Sequence, residues 1–107
     1  MSTVQVSTTL DLATLVTYQE GSVVSRQITK ADAGNVTLFA FDGGQALSEH
    51  TAPYDALVHV LEGTAEVLIG GQPFILQAGQ AIVMPANVPH ALNARTAFKM
   101  LLTMIRS

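Results

Sequence analysis

The sequence predicts an all-β sandwich or barrel, and three observations support this fold class. Short apolar segments rich in β-branched residues recur at intervals of roughly 8–12 residues. Gly and Pro residues separate these segments, as is usual for turns between antiparallel strands. After Gly21, no stretch of the chain shows the apolar period of a helix. A length of 107 residues then predicts one domain over residues 1–107.

The predicted elements follow one another in a simple order. Asp11 is a suitable N-cap for a helical turn or two over residues 12–16. Strands are predicted at residues 22–29, 36–41, 57–61, 64–69, 72–76, 80–84 and 98–105. The dipeptide Gly70-Gly71 suits the tight turn of a hairpin. Loops are expected at 31–35 and 85–89, and residues 1–9 are expected either to lack regular structure or to pair with a sheet edge.

Composition excludes several classes of protein. The chain has no Cys, which excludes disulfides, zinc–thiolate sites, iron–sulfur clusters and thiol catalysis. The net charge is −3 and no cluster of Lys or Arg is present, so binding to nucleic acid is not expected. No apolar run approaches the roughly 20 residues of a membrane span, and residues 1–10 lack the pattern of a signal peptide. We therefore expect a cytoplasmic protein that binds neither nucleic acid nor membranes.

The low charge content also predicts a subunit interface. Charged residues make up 12% of the chain, about half the usual share, against 49% hydrophobic residues. The segment 57–61 is apolar on both faces of a predicted strand. If Ala56, Val58 and Val60 face the interior, then Leu57 and Leu61 point outward and need cover. The sequence therefore predicts a homodimer.

Two of the three histidines lie in a recognisable spacing of Gly and Pro residues. His50 stands six positions after Gly44 and thirteen before Gly63. His90 stands eleven positions after Gly79 and five after Pro85. These spacings resemble the two motifs of the cupin superfamily, at about residues 44–63 and 79–94. The resemblance implies a cupin jelly-roll barrel of two antiparallel sheets, with a short helical turn at its N-terminus.

In metal-binding cupins, three His and one Glu form a cage around a divalent ion. The resemblance places two of these ligands at positions where this chain departs from the family pattern. The second His of the first motif falls on Ala52. The Glu falls on Ala56 or, with the longer spacing, on Leu57. In the second motif the final Asn falls on Ala94, and a Gly falls on Asn87, which tolerates left-handed backbone. His50 and His90 are thus the remaining candidate metal ligands, in an incomplete site for Mn, Fe, Ni or Zn.

Few other side chains are candidates for the cavity. Asp55 and Tyr54, in the turn before the central strand, are possible contributors to the pocket. His59 and Glu49 are expected to point outward by strand alternation. The methionines at 84, 100 and 104 are expected to pack in the core.

The resemblance leaves the activity open, because this barrel hosts many functions. The expected function is binding of a small molecule in a central pocket that His50, Ala52, Ala56 and His90 line, with a possible weakly held divalent metal. One alternative is a metal-dependent enzyme of the dioxygenase or isomerase type. The other is a metal-free enzyme in which a His acts as acid or base, with Asp55 orienting it.

Overall fold

The structure, a computed structural model, describes residues 4–106. Within that range the chain forms a short 3-10 turn at Leu12–Thr14 and nine strands. The strands are β1 (Val23–Ala31), β2 (Gly34–Phe41), β3 (Ala46–His50), β4 (Asp55–Glu62), β5 (Thr64–Ile69), β6 (Gln72–Gln77), β7 (Ala81–Met84), β8 (His90–Ala94) and β9 (Phe98–Ile105).

The strands form two antiparallel sheets that face each other. The five-stranded sheet has the order β1-β2-β9-β4-β7, and the four-stranded sheet has the order β3-β8-β5-β6. Consecutive strands repeatedly join different sheets, so that the layers are connected around a common interior. This arrangement confirms the predicted all-β jelly-roll barrel with a short N-terminal turn.

Two strands, β3 and β8, were not predicted, because their sequences carry little apolar alternation. β3 has the sequence ALSEH, whose polar and mostly exposed residues give no apolar signal. β8 begins directly after Pro89 and contains Asn and Ala, which have low β propensity. The segment 31–35 is not the loop that we predicted, because β1 runs to Ala31 and β2 starts at Gly34.

The core lies between the sheets and follows the alternation of β4. Ala56, Val58 and Val60 are buried, which confirms that this face of the strand points inward. Phe41 and Phe98 are fully buried, and their stacked rings have centroids 4.5 Å apart. Stacked aromatic pairs of this kind add to the stability that burial alone provides.

The N-terminal segment packs on the outer face of the five-stranded sheet. Val16 is buried there against Leu38 and Ala40, with Leu12 and Leu61 among the partly buried residues around them. The expectation that Leu61 needs cover from a second subunit is therefore wrong, since the chain covers it itself. Farther toward the N-terminus, the Val4 amide donates to the Ile28 carbonyl over 3.3 Å. Residues 1–3 of the predicted N-terminal tail lie outside the described residues.

Lys99 holds this segment in place from the outer face of β9. Its ammonium group, although on a buried residue, donates to the Ala13 carbonyl and lies 3.8 Å from Glu62 Oε2. Tyr18 donates its hydroxyl to the same Glu62 carboxylate over 2.6 Å. Burial, and then the Glu62 carboxylate, raise the pKa of the Tyr18 hydroxyl above its usual value. The segment is therefore attached by polar contacts as well as by apolar packing.

Candidate functional site

A cavity of about 400 Å³ lies between the two sheets. The five-stranded sheet contributes Phe39, Ala56, Met84, Met100, Leu102 and Met104 to its walls. The four-stranded sheet contributes Leu47, His50, His90 and Leu92, and residues 51–54 complete the wall between β3 and β4. No Asp, Glu, Lys or Arg side chain is among these residues, so the cavity is an apolar chamber with a few polar groups.

The register of β3 and β8 brings the two histidines together. These strands are antiparallel neighbours, and His50 pairs directly with His90. The turn before β8 has Asn87 at a φ of 65°, which is the left-handed conformation expected where the family motif has Gly. The Asn87 amide donates to the Ala52 carbonyl over 2.7 Å, so this turn is attached to the segment after β3.

The two imidazoles meet through their Nε2 atoms. The Nε2–Nε2 distance is 3.1 Å, and the ring planes are inclined at 72°. The opposite nitrogen of each ring faces a backbone carbonyl: His50 Nδ1 lies 2.8 Å from the Ser48 oxygen, and His90 Nδ1 lies 3.2 Å from the Val88 oxygen. Each ring is thus oriented by a backbone carbonyl two residues earlier in the chain, with Nε2 directed toward the other ring.

The two histidines differ in their exposure. His90 is 4% exposed, whereas His50 lies at the exposed end of β3. Burial lowers the pKa of His90 below the usual histidine value, the Val88 carbonyl opposes this shift, and the nearby His50 lowers the pKa further. A low pKa favours the neutral imidazole at His90, which is the form that accepts a hydrogen bond or binds a metal ion.

The two histidines supply only half of the metal cage that the family pattern implies, and the residues around them add no further ligand. Ala52 and Ala56, at which the resemblance implied a further His and a Glu, both line the cavity. Among residues 4–106, no group of three or more His, Asp or Glu side chains is arranged to hold a metal ion. Two imidazoles alone therefore do not complete the donor set of a tightly bound transition metal.

Two methionines flank Ala56, the position at which the resemblance implied a Glu. Ala56 pairs with Met84 on β7 and with Met104 on β9, so the three residues form a row across the inner face of the sheet. Met100 lies farther along β9 and also lines the cavity. We expected these methionines in the core, and the structure places them in the wall of the cavity as well. Strand alternation in the sequence indicated that these methionines point inward. Only the pairing of β4 with β7 and β9 shows that two of them flank Ala56.

Of the remaining candidate residues for the pocket, only some reach the cavity. Tyr54 lines the cavity, and the Arg106 guanidinium lies 5.4 Å from its ring centre. Asp55 does not line the cavity, because its carboxylate accepts a hydrogen bond from the Ala86 amide over 2.8 Å. His59 lies on the outer face of β4, paired with Ala81 and Leu101. Glu49 is exposed on β3 and is not part of the cavity wall.

Comparison with known proteins gives the family. The family model described as "Cupin domain" matches residues 37–106. A conserved protein of unknown function from Streptococcus pyogenes has a similar structure, with a TM-score of 0.92, 36% identity, and coverage of 100% of this chain and 96% of that one. A cupin 2 conserved barrel domain protein from Leptotrichia buccalis has a TM-score of 0.88 and 41% identity over 91% of this chain and 47% of that one.

Two further similarities cover less of the chain or have a lower sequence identity. A curated polyketide synthase, CurC, from Streptomyces cyaneus is 36% identical over 61 residues, which is 56% of this chain and 40% of that protein. The match thus spans about two fifths of the length of that relative. A salicylate 1,2-dioxygenase from Pseudaminobacter salicylatoxidans has a TM-score of 0.73 at 17% identity, over 79% of this chain and 26% of that one. At that identity the similarity shows the fold alone.

Over residues 4–106, no helix has the length and the apolar composition needed to cross a bilayer.

Proposed function

Because the chain belongs to the cupin family, we propose that it binds a small molecule in the cavity between its sheets, with His50 and His90 as the polar end of the site. The observation that carries this proposal is the meeting of two imidazoles at 3.1 Å in the wall of a cavity of about 400 Å³. Ligand sites commonly combine apolar walls with a few convergent polar groups, and their volumes are about 300–1,000 Å³.

The two enzymatic alternatives have less support in the described residues. A metal-dependent dioxygenase or isomerase needs a firmly held ion, and Ala52 and Ala56 provide no donor atoms for one. A metal-free acid–base enzyme needs a group that orients the catalytic imidazole. Asp55 was the candidate for that role, but its carboxylate accepts a hydrogen bond from the Ala86 amide. We therefore favour binding over catalysis, with a divalent ion such as Mn, Fe, Ni or Zn held weakly by His50 and His90.

We also propose a homodimer that covers the exposed part of the outer face of the five-stranded sheet, which the N-terminal segment leaves open. Leu57 and Val83 are direct partners there, at 37% and 53% exposure, and Ile105 nearby is 61% exposed. Burying such neighbouring apolar side chains against a second copy would remove them from water. Light scattering is expected to give twice the 11.3 kDa of one chain, and Leu57→Lys should reduce that mass. A mass of one chain at every concentration would contradict the dimer.

The binding proposal is tested with variants of the three histidines. The probes are phenol, benzoate, cyclohexanol and glucose, and the readout is the shift of ¹³C-labelled methyl signals of the cavity residues Met84, Met100 and Met104. We expect at least one probe to shift these signals in the native protein. His50→Ala and His90→Ala should weaken that binding about tenfold or more, since each removes one polar partner of the ligand.

His59→Ala is the matched control, because His59 lies on the outer face of β4 in the five-stranded sheet and does not line the cavity. It should leave probe binding unchanged, and it serves as a test of the inward and outward assignment. The melting temperature of each variant separates loss of binding from loss of folding. The proposal is contradicted if no probe shifts the methionine methyls, or if His59→Ala weakens binding while the other two variants retain it.

A further inference from the structure

The two imidazoles make three close contacts that each require a hydrogen atom. His50 Nδ1 and His90 Nδ1 face the oxygens of Ser48 and Val88, and the two Nε2 atoms face each other. A carbonyl oxygen has only lone pairs, so each Nδ1 has to carry the hydrogen of its contact. A neutral imidazole has one N–H, and both N–H groups are then used on the carbonyls.

The Nε2 contact is therefore short of one hydrogen atom. With two neutral rings and both hydrogens on Nδ1, the two Nε2 lone pairs converge at 3.1 Å. Such an arrangement is repulsive unless a donor from outside the pair is placed at that point. The polar end of the cavity is thus an acceptor pair, and it suits a ligand that donates.

The rest of the cavity wall restricts the ligand further. Besides the two histidines, the only lining side chains with a hydrogen-bonding group are Thr51 and Tyr54. A sugar or polyol would leave several hydroxyl groups without partners, which is costly in an apolar chamber. A carboxylate would meet two acceptor nitrogens and no lining cation. The ligand therefore has a single donor group and an apolar body.

The methionines favour an aromatic body over an aliphatic one. Met84, Met100 and Met104, each with a thioether group, line the cavity together with Phe39. Thioether sulfur makes favourable contacts with aromatic rings, typically at about 5 Å. A volume of about 400 Å³ accommodates a molecule of one or two fused rings.

We propose that the cavity of the metal-free chain takes a neutral phenol of one or two rings, whose hydroxyl group donates to the Nε2 atoms of His50 and His90. This inference rests on the proposed function, because it assigns a chemical class to the ligand of the same site. The ring lies among the methionines, and the hydroxyl hydrogen occupies the point where the two lone pairs converge. No covalent step is involved, since the hydroxyl remains a hydrogen-bond donor.

The test is a calorimetric titration with four probes of similar shape at neutral pH. They are 2-naphthol, 2-methoxynaphthalene without a donor, 2-naphthoate with a charge, and decahydro-2-naphthol without an aromatic ring. We expect 2-naphthol to bind at least tenfold more tightly than the methyl ether and the carboxylate, since neither of these two has a hydrogen to donate. It should bind about threefold more tightly than the decahydro alcohol, because of the sulfur–aromatic contacts.

Variants connect each preference to its residues. His50→Phe keeps a ring of similar shape but removes one of the two acceptors, so the preference for 2-naphthol over its methyl ether should fall below tenfold. His59→Phe, on the outer face, should leave that preference unchanged. Met84→Leu should reduce the preference for the aromatic probe over the decahydro alcohol and spare the preference for the hydroxyl.

The outcomes separate the ligand class from the function. If the ether or the carboxylate binds as tightly as 2-naphthol, the cavity is a binding site and the phenol assignment is wrong. If none of the four probes binds, the phenol assignment is wrong, and the methionine methyl shifts with phenol, benzoate, cyclohexanol and glucose decide the binding function separately. A ¹⁵N spectrum of the imidazoles provides an independent check: both Nδ1 atoms should be protonated in the free protein, and a hydrogen on either Nε2 would overturn the argument.

Discussion

Gly63→Ala is expected to lower the free energy of unfolding by about 3 kcal/mol or more. Gly63 has a φ of 79°, a conformation that costs a residue with a Cβ about 1–2 kcal/mol. The added Cβ would also lie 2.1 Å from the Ala97 carbonyl oxygen and 2.8 Å from Phe98 Cα. Both neighbours are backbone atoms, which cannot move aside as a side chain can. Urea denaturation monitored by circular dichroism measures the loss.

Gly79→Ala is the matched control for this prediction. Gly79 has a similar φ of 88°, but a Cβ there would meet no atom within 4 Å. Its substitution should cost only the conformational part, about 1–2 kcal/mol. Equal losses for the two variants would show that the close approach of Ala97 contributes nothing. The comparison also gives a physical reason for a Gly at the end of the first motif, where β4 turns into β5.

The double variant Ala52→His, Ala56→Glu should bind Mn or Ni at least tenfold more tightly than the native chain, which is about 1.4 kcal/mol. Both alanines line the cavity beside His50 and His90. Two added donors would replace water in the metal shell, and the carboxylate would neutralise part of the charge. Calorimetric titration of each protein measures the affinity. After dialysis, the native chain should retain metal in less than stoichiometric amount.

The single variant Ala52→His guards this test against misfolding. Ala56 is buried between Met84 and Met104, so a Glu there could destabilise the barrel. Ala52 is half-buried in the segment after β3, where a larger side chain has more room. The single variant should bind more tightly than the native chain and less tightly than the double variant. Tight, stoichiometric binding by the native chain would contradict our interpretation of Ala52 and Ala56 as lost ligands.

The sequence indicated those parts of the fold where apolar alternation is strong. The segments 64–69 and 98–105 were predicted with the bounds that the structure shows for β5 and β9. β3 was missed, because a short, mostly exposed strand of polar residues resembles a loop in sequence. The cover that the N-terminal segment gives to Leu61 could not be predicted either. That contact joins residues distant in sequence, and local patterns carry no information about such pairs.

The site was predictable to the extent that the family motifs cover it. The motif spacing placed His50 and His90 together, and the structure brings their Nε2 atoms to 3.1 Å. The spacing did not show that both Nδ1 atoms face carbonyl oxygens, since that depends on ring orientation. It also did not show Met84 and Met104 on either side of Ala56, which depends on the register of three strands. Those two features determine the proposed ligand class.

The most direct test of the account is a crystal structure of the full chain with 2-naphthol. We predict the naphthol oxygen within about 3.2 Å of Nε2 of His50 or His90, with the rings among Met84, Met100 and Met104. A probe bound outside the cavity, or bound within it with its oxygen directed away from both histidines, would contradict the account.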